Sequence, residues 1–98
     1  MVMQMRDYTV KPGCVDSYVK AWRERIYPLR RAHGFRIDGA WVAPDKNQFF
    51  WTLAYDGPED WSAKNAAYDL VRQRFDPDPA LLLAEERKIY VQPVLLEP

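Results

Sequence analysis

The chain is poor in the residues that build covalent or metal scaffolds. Its single cysteine, Cys14, leaves no partner for an intramolecular disulfide and no cluster for a zinc site. A lone thiol fits a reducing compartment, so a cytoplasmic location is expected. Histidine also occurs once, as His33. No apolar run approaches the roughly 18 residues of a membrane span, and Arg6 and Asp7 stand where a signal peptide would be apolar. Fourteen Lys and Arg balance fourteen Asp and Glu, a formal net charge of zero, which removes the electrostatic footprint of a general nucleic-acid binder. No glycine-rich phosphate loop, H-E-x-x-H or G-x-S-x-G occurs, and the carboxylates lack metal-ligand spacing. Neither a metal nor a cofactor is expected.

Aromatic rings are in excess: four Trp, six Tyr and four Phe among 98 residues. The length suits one domain, 1–98, and a domain this small buries only roughly 60–65% of its unfolded surface. Some rings must then sit near the surface, line a cavity or be covered by a second subunit. A homodimer is the economical expectation.

The hydrophobic periods divide the chain. Val2 to Val10 reads as a strand ended by Lys11-Pro12-Gly13. Val15, Tyr18, Val19, Trp22, Ile26 and Leu29 then recur at helical steps, up to a stop at Gly34, with a kink or break expected near Ile26 to Pro28. Phe35 to Ala43 and Gln48 to Tyr55 read as two strands about a turn at Pro44-Asp45-Lys46-Asn47. A two-residue loop would set Trp41 opposite Phe50 and Trp51 beside Ala40; an odd loop, with or without a bulge, aligns the two apolar faces, and burial favours that register. Pro58 is expected to open a second helix carrying Trp61, Asn65, Tyr68 and Phe75, and Ala80 to Arg87 a further short one. Ile89 to Leu96 reads as the last strand, placed at an edge by Pro93. The order β-α-β-β-α-β is an α+β, ferredoxin-like pattern with a four-stranded antiparallel sheet. An apolar edge strand calls for cover by another chain, so the homodimer is expected to form through the sheet and strand four.

Several runs, taken in succession, resemble the NIPSNAP family: Met5-Arg6-Asp7-Tyr8-Thr9-Val10-Lys11-Pro12-Gly13, Tyr18-x3-Trp22, Pro28-Leu29-Arg30-Arg31-x2-Gly34-Phe35, Gly39-x-Trp41, Trp51-x3-Tyr55-Asp56 and Glu59-Asp60. The likeness weakens after Phe75. It implies a dimeric α+β barrel, in which two ferredoxin-like sheets face one another. Relatives by fold include quinone-forming monooxygenases, haem-degrading enzymes, chlorite dismutases, muconolactone isomerases and non-catalytic binding domains, so the fold alone transmits no activity. The Asn, Trp and His constellation of the haem-degrading branch is missing.

His33 has the pKa range of a general base, though its place in the last helical turn also suits a capping role. Tyr8 and Asp7 lie on the expected central strand, where an inward Asp could act as base and a Tyr could hold a substrate oxygen. Trp41, Phe49, Trp51 and Tyr55 are the expected wall of an aromatic pocket, with Trp22 and Tyr18 opposite. Arg30, one of a basic cluster around His33, is a candidate clamp for a substrate anion. Two functions remain open. One is a non-catalytic homodimer that binds a small apolar or aromatic ligand between sheet and helices. The other is a cofactor-independent monooxygenase or isomerase acting on a small aromatic or conjugated molecule.

Overall fold

In a computed structural model describing residues 1–97, β1 (Val2–Val10) lies inside a four-stranded antiparallel sheet. The helical run α1 follows, α-helical over Val15–Ala21, π-helical over Trp22–Ile26 and α-helical again over Tyr27–Ala32. Next come β2 (Ala40–Ala43), β3 (Gln48–Tyr55), α2 (Trp61–Arg72) and β4 (Leu83–Tyr90). The strand order β2-β3-β1-β4 with helices after β1 and β3 is the ferredoxin-like arrangement. No helix among the described residues is long and apolar enough to cross a membrane.

The kink expected near Pro28 is a π turn. The Tyr27 N–H donates to the Trp22 carbonyl, five residues back, and the wider turn gives room to a proline ring that would otherwise meet the carbonyl of Glu24. The extra residue also rotates everything after it by about 100° relative to a straight helix. On a straight helix Leu29 would continue the stripe of Tyr18 and Trp22. Here Arg30 takes that place, 4% exposed, while Leu29 is only half-buried. Gly34, at φ +86°, then turns the chain out of the helix.

The hairpin register differs from the one expected. Ala40 lies opposite Trp51, Trp41 opposite Phe50 and Val42 opposite Phe49. The even four-residue turn 44–47 sets this register, and a bulge precedes it: Ile37, Asp38 and Gly39 separate Arg36 from Ala40, whereas only Thr52 and Leu53 separate their partners Ala54 and Trp51. The extra residue inverts the side-chain alternation, so Phe35 is buried and Trp41 emerges on the opposite sheet face, 54% exposed. There the Trp41 ring lies across Gly39, where a Cβ would come within 2.7 Å of it.

Two further boundaries move. The second helix begins at Trp61 rather than Pro58, because the Asp60 carboxylate accepts the Ala63 N–H at 3.2 Å and fixes the N-cap there. In place of the short helix expected over Ala80 to Arg87, a single 3-10 turn, Pro79–Leu82, runs directly into β4. The last strand is therefore Leu83–Tyr90 and not Ile89 to Leu96; Pro93 and the apolar run around it fall beyond the strand. An edge strand exposed on both faces needs no apolar alternation, and Glu85, Glu86, Arg87 and Lys88 occupy its middle.

One sheet face is covered. Tyr18 and Trp22 of α1 meet Tyr8, Phe49 and Trp51 edge to face, and Trp61 and Tyr68 of α2 meet Phe35. The other face carries Met3, Met5, Phe50, Trp41 and Ile89, with no helix over it among the described residues.

Candidate functional site

Alternation along β1 directs Gln4, Arg6 and Tyr8 toward the helices, all buried. Arg6 Nε donates to Gln4 Oε1 at 2.9 Å and Nη1 to Tyr8 Oη at 3.0 Å, with the guanidinium 5.4 Å from the Trp51 ring centre. From α1, Arg30 Nη1 donates to Asn65 Oδ1 on α2 at 2.7 Å. The Arg30 guanidinium stacks 3.5 Å over Tyr68 and 4.7 Å from the Phe35 ring centre. Both arginines are only 4% exposed. Among the described residues, arginine ion pairs are made by Arg36, Arg72 and Arg87, and neither Arg6 nor Arg30 takes part in one.

Between the two guanidinium groups lies a cavity of about 80 Å³, walled by Tyr8, Tyr18, Ile26, Trp51 and Tyr68. Asp69 and Arg72 of α2 border it, with Leu83, Glu86 and Lys88 of β4. Arg30 Nε and the Trp51 indole N–H are buried without a hydrogen-bond partner, as is the indole N–H of Trp22 nearby in the core. Lys88 stands directly opposite Arg6 in the ladder, so two like charges share one side of the sheet.

Burial governs the protonation states. Desolvation lowers the Arg30 guanidinium well below its ordinary value, to about 10; Tyr68 opposes that fall and Arg6 adds to it. Burial likewise lowers Lys88, reinforced by Arg6. Tyr8 and Tyr68 are raised by burial against the pull of Arg6 and Arg30 respectively, so both remain neutral hydroxyls at neutral pH. The cavity thus offers cationic and neutral hydrogen-bond donors and few acceptors.

The residues singled out in the sequence fall into separate places. Tyr8, Trp51 and Arg30 line the cavity, while Trp22 and Phe49 pack immediately behind it in the same ring cluster. Tyr55 belongs to a second cluster with Phe35, and its hydroxyl donates to Glu59. His33 caps the end of α1, edge-on to Tyr68 at 5.8 Å, and does not line the cavity. Trp41 does not belong to the pocket wall, because the bulge sends it through the sheet. Asp7 is likewise separated from Tyr8 by strand alternation: it is on the open face, 3.3 Å from Arg87 and 3.4 Å from the Gln48 amide. Arg6, Asn65 and Tyr68 were missed as site residues. The signal for Arg6 was present, since Gln4, Arg6 and Tyr8 alternate and one inward residue carries all three inward.

No sequence-family profile matches the chain, and no curated protein sequence does. Solved structures do. An uncharacterised NIPSNAP domain protein from Burkholderia xenovorans superposes with a TM-score of 0.75 at 23% identity, covering 100% of this chain and 99% of its own. A NIPSNAP family protein from Agrobacterium tumefaciens gives 0.80 at 20% identity, with 99% and 96% covered. A putative antibiotic biosynthesis monooxygenase from Nitrosomonas europaea gives 0.68 at 20% identity, with 99% and 93% covered. Over its whole length, the chain has the ferredoxin-like fold of the NIPSNAP domain proteins, shared at lower similarity with antibiotic biosynthesis monooxygenases.

Proposed function

We propose that the chain is a NIPSNAP-like homodimeric domain of the cytoplasm that binds a small molecule in the cleft between β1 and the two helices. The observation that carries this reading is the cavity itself: a space between sheet and helices walled by rings and holding buried, unpartnered donors. A void and unpartnered donors gathered at one place are unusual in a close-packed core. Fragment titration followed by NMR tests it, with saturable shifts expected at the indole signal of Trp51 and at Tyr68. A fragment set that leaves both unmoved would count against the cleft.

The dimer is supported by the uncovered face carrying Met5, Phe50, Trp41 and Ile89, beside the edge strand β4. Exposed apolar side chains gathered on one sheet face mark an interaction surface. Sedimentation velocity is expected to give a dimer, and Ile89→Asp to give monomer; dimer mass unchanged in the variant would displace the interface from this face.

The monooxygenase alternative draws on the fold neighbour and on Tyr8, the one proton-bearing candidate that lines the cavity. Asp7 and His33 lie outside it, so two of the three candidate proton acceptors have no place beside a ligand there, which favours binding over turnover. Oxygen uptake with small quinols tests that alternative.

A further inference from the structure

Granting that the cleft binds a small molecule, we propose that its ligand is a small monocarboxylate, with the carboxylate held between Arg6 and Arg30. Two guanidinium groups, each 4% exposed and neither in an ion pair among the described residues, are costly in a protein interior unless a ligand supplies the anion. The free donors agree. Arg30 Nε and the Trp51 indole N–H lack acceptors, and the Tyr8 hydroxyl, already accepting from Arg6, keeps its own hydrogen to give. A site made of donors is completed by a group made of acceptors, and a carboxylate offers two oxygens in the plane that a guanidinium fork addresses. Lys88 facing Arg6 adds a third positive charge on the same side.

Size and the apolar wall narrow the class. A cavity of about 80 Å³ is far below the roughly 300–1,000 Å³ of sites that enclose whole drug-sized ligands. It admits a head group on a short stem, against the apolar edges of Tyr18, Ile26 and Trp51. An apolar stem against Tyr18, Ile26 and Trp51 gives a carboxylic acid contacts that inorganic phosphate lacks, which selects a carboxylate over phosphate.

The test titrates the protein with propionate, its neutral isostere propionamide and inorganic phosphate, following the Trp51 indole signal by NMR. Propionate is expected to saturate, with propionamide, which lacks the charge, and phosphate, which lacks the apolar stem, each at least about tenfold weaker, or about 1.4 kcal/mol. Arg30→Lys, which keeps the charge and loses the planar fork, is expected to weaken propionate by about tenfold as well. Propionamide matching propionate, phosphate exceeding it, or unchanged binding in both Arg30→Lys and Arg6→Lys overturns the carboxylate. If only neutral or cationic fragments shift Trp51, the carboxylate fails and the cleft stands. If no fragment of any charge does so, the cleft itself fails.

Discussion

Replacing Arg30 with methionine separates a guanidinium kept for a ligand from one kept for the fold. A fall in pKa from the ordinary guanidinium value to about 10 corresponds, at about 1.36 kcal/mol per tenfold in proton affinity, to on the order of 3 kcal/mol needed to hold the charge in place. Arg30→Met removes that burden. It also removes the hydrogen bond to Asn65, worth about 1.5–3 kcal/mol while charged, and the stacking on Tyr68, worth about 0.5–2 kcal/mol. Two effects soften those losses. Asn65 is half-buried, so its amide regains water, and a thioether against Tyr68 and Phe35 returns about 0.3–1.5 kcal/mol. Terms of opposite sign and similar size leave a net change within about 1 kcal/mol, a shift in Tm of no more than about 4–8 °C for a domain of this length. Urea unfolding followed by tryptophan fluorescence measures it. A loss above about 3 kcal/mol, the range for breaking a structural buried pair, would refute the reasoning and make Arg30 part of the core's cohesion.

Stability should fall above pH 10.0, because Tyr8, Tyr18 and Tyr68 keep protons in the folded state that the unfolded chain releases from that pH upward. Arg30 and Lys88 act in the opposite direction, since burial makes each release its proton at lower pH when folded than when unfolded, and they offset part of that loss. Urea midpoints that stay level up to about pH 11 contradict this. Gly34→Ala should cost about 1–2 kcal/mol through its φ of +86° alone, since the nearest atom to the new Cβ is 3.8 Å away on Tyr55; a thermal melt indistinguishable from the parent argues against strain at that turn. Gly57→Ala should instead push the Tyr55 ring aside and break its hydrogen bond to Glu59, a change seen in near-ultraviolet circular dichroism.

The parts of the fold legible in the sequence are those whose surroundings impose a period. β1, β3 and the first half of α1 each bury one side, so alternation or helical spacing marks them. β4 buries neither side, and Glu85-Glu86-Arg87-Lys88 carries no period to read. The bulge at Ile37–Gly39 is equally silent: the residues on either side alternate correctly, and only the pairing with Thr52 and Leu53 reveals that one residue is surplus. That single residue removed Trp41 from the expected pocket. Tyr8 and Arg30 were readable as chemistry-bearing positions, but their convergence depends on the phase of α1 after its wide turn, and Arg30's partner Asn65 lies 35 residues away on α2.

The wide turn in α1 also governs which changes of length the chain can absorb. Removing one residue from a helix ordinarily throws everything downstream out of phase by about 100°. Here the helix holds one residue more than its span requires, between Trp22 and Ile26. Deleting the exposed Glu24 would convert the wide turn to an ordinary one and leave Arg30 and Gly34 oriented as they are, provided Pro28 is replaced so that its ring does not meet the carbonyl four residues back. Where a chain of this fold has a first helix shorter by one residue and no proline at this point, the gap belongs in this turn, and the buried arginine position is still matched across it.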